Sequence, residues 1–326
     1  MKLTESFNII KPKRLKQGDL IGITAPSSQI NSQAVSTFVK FLEENGFKVL
    51  LGDTITTVKD RDYNAGTARE RADDLNAMFG DKNVRAVFAG AGGFGAQKIA
   101  HYIDYTLIER DPKPVIGFSD TTFLLNAIQL KTGIGTFLGP TAEILDINKD
   151  AKSLKMCFGF LTGELEGDVL IQNLDGSMTR RVSVPEVKNG TGRLIGGNLT
   201  MAQTTLGTDF EVDTKGKIIL LEEVGESSYS IERSLDHLFS AGKFDECAGV
   251  VFGEFISVSR EPVKDAHDSN PSVNEIIVKK FKHADYPVLM GYNFSHGAYN
   301  LTLPIGCIAV VSSRDRSLKV VDTVVK

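Results

Sequence analysis

Apolar residues in the first half of this chain gather in short runs separated by amphipathic stretches. Leu20 to Ala25 is nearly all apolar, is closed by Pro26-Ser27-Ser28, and reads as a buried strand. Val35 to Glu44 has helical periodicity and stops at Gly46. Phe47 to Leu51 is a second strand, and Thr67 to Phe79 a charged helix ending at Gly80. Val84 to Ala89 is a third strand, followed by a glycine-rich turn and a helix over Gln97 to Tyr102. Val115 to Phe118 is a fourth strand, after which Phe123, Leu124, Ala127, Ile128 and Leu130 mark a helix. Alternating strands and helices predict a Rossmann-like α/β unit, a parallel sheet covered on both faces.

The pattern changes near residue 150. Residues 163–190 are polar and rich in glycine, as expected of a linker with short strands. The second unit, 191–326, has strand patterns at Lys217 to Leu221, Gly249 to Phe252, Pro287 to Met290, Cys307 to Val311 and Leu318 to Val321. Its helices are expected at Ile231 to Phe239 and Val273 to Phe281. The expected organisation is therefore an α/β unit over 1–162, a linker over 163–190, and a strand-rich α+β or barrel-like unit over 191–326.

Composition narrows the function. The chain of 326 residues is 41% hydrophobic and 24% charged, with a formal charge of −4 and no long basic run. That argues against a nucleic-acid partner. No stretch approaches ~20 apolar residues, and the N-terminus lacks an apolar signal core, so a cytoplasmic protein with no membrane partner is expected. Cys157, Cys247 and Cys307 match no redox or metal spacing and are read as reduced packing residues. His101, His237, His267, His283 and His296 form no His-x-x-x-His pair, so neither a metal nor another cofactor is expected.

Ser119 stands where the fourth strand turns into a helix. Open α/β sheets bind ligands outside the carboxyl ends of their strands, and a sharp strand-to-helix turn projects a nucleophile. Gly117 suits a crowded turn; Thr121 stands where such turns usually carry a second glycine. Capping of the helix by Ser119 or Asp120 is the plainer reading of the same residues. Upstream, Gly90-Ala91-Gly92-Gly93-Phe94-Gly95 matches the dinucleotide fingerprint, with Asp120 as a ribose-binding acid. The same glycines beside Ser119 would equally serve as an oxyanion hole, or only as a tight turn.

Several segments, in order, resemble the LD-carboxypeptidase family of serine peptidases, which includes the microcin C self-immunity peptidases. They are Lys16 to Ser27, Ala65 to Asn76, Gly92-Gly93-Phe94-Gly95, Gly117-Phe118-Ser119-Asp120, Gly192 to Leu199 with Leu221-Glu222-Glu223, and Ser295 to Gly306. The resemblance implies a Ser–Glu–His triad of Ser119, Glu222 and His296, with Glu223 or Glu226 as other possible acids. It implies an oxyanion hole from the backbone N–H groups of Asp120 and of Gly92 or Gly93. It also implies a site between the two units, a homodimer, and hydrolysis of an L,D-amide bond such as the terminal D-Ala of a murein tetrapeptide. An aminoacyl-nucleotide antibiotic is the alternative substrate within the family. A nucleotide-dependent enzyme using Gly90 to Gly95 is the alternative outside it, and a non-catalytic binder of cell-wall fragments a third. Two residues depart from the family: Ala91 where arginine is common, and Ser295 where glycine is usual before the histidine. Arg193 and Arg233 are candidate partners for a substrate anion.

Overall fold

The structure is a computed structural model that describes residues 9–57, 63–143, 151–183, 189–258 and 271–326. Part of the expected linker, 184–188, and His267 lie outside the described residues. The strands are β1 (Leu20–Thr24), β2 (Lys48–Leu51), β3 (Val84–Ala89), β4 (Val115–Gly117), β5 (Thr136–Leu138), β6 (Val169–Ile171) and β7 (Arg180–Arg181). They continue with β8 (Gly190–Asn198), β9 (Ile218–Val224), β10 (Gly249–Ile256), β11 (Val288–Met290), β12 (Leu303–Ile305), β13 (Ile308–Ser312) and β14 (Ser317–Val320).

Two sheets result. The first is six-stranded, in the order β12-β5-β4-β3-β1-β2, parallel except for β12. Its 2-1-3-4-5 core places a topological switch between β1 and β3, where ligands of open α/β sheets bind. The second is eight-stranded, in the order β6-β14-β13-β8-β9-β10-β11-β7. Its centre, β8 to β11, is parallel, and the flanking strands pair antiparallel. Both α/β and strand-rich expectations therefore hold, and the second sheet is open from β6 to β7 among the described residues.

The first sheet forms because β1, β3 and β4 are apolar on both faces. Ile21, Ile23, Val84, Phe88 and Ile116 are fully buried between helices. The helix Ala68–Gly80 begins with a capping box in which Thr67 and Glu70 satisfy each other's free N–H groups. One hydrophobic core runs from this sheet onto one face of the second, joining Phe88 and Ile116 with Leu220, Val251 and Val311. A second core, with Leu221, Phe252 and Phe281, lies under the helices Ser228–Ser240 and Val273–Phe281.

Some elements escape the sequence pattern. The helix expected over Gln97 to Tyr102 is a four-residue α-turn, Ala96–Ile99, that tightens into a 3₁₀ turn, Ala100–Tyr102. Strand β8 carries four glycines in nine residues and has little β-propensity. Its place is set by close approach: a Cβ on Gly190 would lie 1.8 Å from the Ala248 carbonyl oxygen. The short strand β12 leaves the second half of the chain to pair with β5 at the edge of the first sheet. Pro304 is tolerated there because an edge strand can spare an N–H. This crossing ties the segment after His296 to the sheet that carries Ser119.

Candidate active site

Ser119 lies in the turn between β4 and the helix Thr122–Thr132, with φ of +59°. A left-handed backbone is uncommon for a residue with a side chain and costs ~1–2 kcal/mol. Thr121 holds the turn: its hydroxyl donates to the Phe118 carbonyl and accepts from the Phe118 N–H, both at 2.7 Å. This explains threonine at the position where a second glycine was expected. A Cβ on Gly117 would sit 2.5 Å from that hydroxyl, so glycine makes room for the lock. Ser119 itself is half-buried.

The glycine turn after β3 abuts this serine. A Cβ on Gly92 would fall 2.7 Å from Ser119 Cβ and 3.0 Å from its Oγ. The turn is held from the end of β1, where Ser28 N–H donates to the Gly92 carbonyl at 3.1 Å and Ser28 Oγ accepts from Phe94 N–H at 3.2 Å.

The Asp120 side chain points away from solvent and is 3% exposed. It accepts from Ser27 Oγ at 2.6 Å and from Ala96 N–H at 2.8 Å. A carboxylate thus occupies the helix start where a dinucleotide fingerprint would place its pyrophosphate. The reading of Gly90 to Gly95 as a nucleotide loop, with Asp120 on a ribose, does not fit this geometry. Arg71, 1% exposed, bonds the carbonyls of Pro26, Gly95 (3.0 Å) and Gly66 (3.2 Å). Burial lowers its pKa, and the charge of Asp120 opposes the shift.

The other half of the site comes from the second sheet. His296 Nδ1 lies 2.9 Å from Glu222 Oε2, and the imidazole packs on the Phe118 ring with centroids 4.8 Å apart. Phe118 immediately precedes Ser119, so the histidine and the carboxylate lie close to the turn that carries Ser119. Glu222, at the end of β9, is fully buried; burial raises its pKa, with the His296 hydrogen bond and charge opposing. Glu223 faces the other way, as alternation along a strand requires. It accepts from Thr200 N–H (2.9 Å), Thr200 Oγ1 (2.7 Å) and Asn198 Nδ2 (2.8 Å), and so is not the partner of His296. Glu226 makes no contact with His296 among the described residues.

Asn198, in the Gly-Gly-Asn segment, carries no role in the sequence pattern but takes one in the site. It sits beside Glu222 in the β8–β9 register, and its amide donates to Glu222 Oε1 at 3.2 Å as well as to Glu223. Its carbonyl oxygen caps the next helix through Met201 N–H at 3.1 Å, which orients the amide. Nothing in the pattern of apolar positions signals such a role. Of the two arginines considered for anion binding, Arg193 donates to the Gly306 carbonyl at 2.6 Å. Arg233 lies over the Tyr229 ring at 5.5 Å.

Among the described residues no group of three metal-ligating side chains converges, and no helix is long and apolar enough to cross a membrane. The three cysteines are buried and free, and burial pushes each thiol up to about 12.

Comparison with known proteins bears on the fold and the family. Residues 21–139 match the LD-carboxypeptidase N-terminal domain, and residues 191–311 match the LD-carboxypeptidase C-terminal domain. A probable murein peptide carboxypeptidase of Bacillus subtilis is 35% identical, across 97% of this chain and 96% of its own length. The microcin C7 self-immunity protein MccF of Escherichia coli is 26% identical, across 94% of each chain. The solved structure of MccF in complex with glutamyl sulfamoyl guanosine superposes with a TM-score of 0.85 at 24% identity, covering 97% of this chain and 99% of that one. The two domain matches and the full-length relative lead to one conclusion: the chain belongs to the LD-carboxypeptidase family and is a serine-type hydrolase.

Proposed function

We propose that Ser119, Glu222 and His296 form the catalytic triad of a carboxypeptidase. The observation that carries this reading is the 2.9 Å contact between His296 Nδ1 and buried Glu222, beside the turn that presents Ser119. A serine hydroxyl is a weak nucleophile and needs a base. With Nδ1–H donated to Glu222, the lone pair of His296 is on Nε2. That nitrogen takes the Ser119 proton during attack on the scissile carbonyl and later delivers it to the leaving amine. Glu222 holds the tautomer and stabilises the imidazolium. In this reading the backbone N–H groups of Asp120 and of Gly92 or Gly93, in the two turns that meet at Ser119, are the donors for the tetrahedral oxyanion.

The substrate in this reading is an L,D-amide bond, as at the terminal D-Ala of a murein tetrapeptide. The full-length likeness to a probable murein peptide carboxypeptidase supports it. The likeness to MccF supports a second reading, cleavage of an aminoacyl-nucleotide. We place the enzyme in the cytoplasm and infer a homodimer, to be checked by fractionation and by light scattering.

Mass spectrometry after incubation with a murein tetrapeptide and with an aminoacyl sulfamoyl nucleoside separates the substrate readings. Ser119→Ala should lower turnover by about 10⁴-fold or more. Near-normal hydrolysis by the purified variant refutes the nucleophile assignment.

A further inference from the structure

His296 is flanked by a second polar arrangement, distinct from its contact with Glu222. Ser295, the residue before it, is completely buried. Its hydroxyl donates to Glu254 Oε2 at 2.5 Å and accepts from the N–H of Gly297 at 3.0 Å. One hydroxyl therefore bridges the residues on either side of the histidine and fastens both to a carboxylate. Glu254 lies on β10, which pairs directly with β9, the strand that carries Glu222. The space is filled: a Cβ on Gly297 would lie 2.9 Å from Glu254 Oε2 and 3.0 Å from Ser295 Oγ.

We infer that Ser295 and Glu254 are positioning residues for His296, a clamp that holds the imidazole in line between Glu222 and Ser119. This rests on His296 being the catalytic base. His296 sits in a short loop closed by an isolated bridge between Phe294 and Asn300, and lies outside any strand or helix. Inside that loop the Ser295 hydroxyl adds two bonds beside the histidine itself. One is to a charged acceptor, the stronger kind. The clamp and the acid come from adjacent strands, so the imidazole and its partner share one rigid support. Ser295 stands where glycine is usual in the family, so this chain holds its histidine with a side-chain bond that glycine cannot make.

The test needs no knowledge of the natural substrate. A fluorophosphonate probe reacts with an activated serine: the Ser119 oxygen bonds to phosphorus, fluoride leaves, and the hydroxyl proton passes to His296. Inactivation kinetics separate probe binding from the chemical step. Ser295→Ala and Glu254→Ala should each slow the chemical step about tenfold, with probe binding unchanged, a difference of about 1.4 kcal/mol. The double variant should be no slower than the slower single one, because both changes break one arrangement. Glu254→Gln should react nearly as wild type, since its carbonyl oxygen still accepts the Ser295 hydroxyl. Circular dichroism and thermal melting confirm that each variant is folded, and the Glu254 pair reports on the clamp even where Ser295→Ala is unstable. His296→Ala is measured alongside. Ser295→Ala and Glu254→Ala reacting within twofold of wild type, with His296→Ala inert, would overturn the clamp alone. Glu254→Gln as slow as Glu254→Ala would also overturn it. His296→Ala reacting at the wild-type rate would overturn the catalytic reading beneath it.

Discussion

Nδ1 of His296 lies 2.9 Å from Oε2 of Glu222, a fully buried carboxylate, although 74 residues separate the two along the chain. An acid kept out of water has reason to stay ionised only where a donor faces it. Here the imidazole and the Asn198 amide are those donors.

Burial sets a pH dependence for Glu222. Its pKa is raised in the fold, with burial the largest cause. A carboxyl whose folded value exceeds its unfolded one binds more protons folded than unfolded. Stability then falls as pH rises from the ordinary carboxylate range through the raised folded value, and the loss persists above it. Glu222→Gln, which cannot ionise, should therefore melt higher than wild type at neutral pH. That gain should vanish as pH falls to the ordinary carboxylate range. Turnover should drop about 10⁴-fold, as when a triad acid becomes an amide. Melting curves from about pH 4 to pH 8 check the sign; a gain largest at acid pH refutes it.

Gly92→Ala should disable the site while sparing most of the fold. The new methyl meets Ser119 Cβ at 2.7 Å and Oγ at 3.0 Å. Displacing a nucleophile by about 1 Å costs on the order of 100-fold in rate. Overpacking costs about 1–3 kcal/mol of stability. Fluorophosphonate labelling and urea denaturation measure the two effects separately.

Ser119 is held at φ of +59°. Left-handed backbone costs a side-chain-bearing residue ~1–2 kcal/mol, and glycine's extra unfolded-state entropy takes back about 0.4–1 kcal/mol. Two inactive variants should thus differ: Ser119→Gly should be up to about 1 kcal/mol more stable than Ser119→Ala. Equal midpoints in urea would show that the turn relaxes without strain.

Arg71 and Asp120 are both almost wholly buried, and the charge of each favours the other. Arg71→Met should destabilise the protein by about 1–3 kcal/mol, because it leaves buried carbonyls without their donor and removes a positive charge near Asp120. Adding Asp120→Asn should recover part of that loss. Additive losses in chemical denaturation would show that the two residues act independently.

Much of the first sheet is legible in the sequence because its strands are buried on both faces. Leu20 to Ala25 and Val84 to Ala89 then read as unbroken apolar runs, and the turn at Ser119 is marked by the abrupt change to Ser-Asp. Strand β8 is not legible in the same way, since its glycines serve backbone close to Ala248 rather than a pattern of side chains. Strand β12 is invisible locally, because three residues with a proline gain their place only from β5. The fingerprint of Gly90 to Gly95 misleads for a related reason: only the fold brings Asp120 to the helix start that a phosphate would need.

The order of apolar runs, the serine at the strand end and the family motifs determined by themselves which residues were candidates. The choice among them belonged to the tertiary structure. Glu222 and Glu223 are adjacent in sequence, but alternation along β9 sends one to His296 and the other to Thr200. A local pattern records whether a side chain faces inward. It does not record which partner waits there, because that partner is brought by a loop of the folded chain more than seventy residues away.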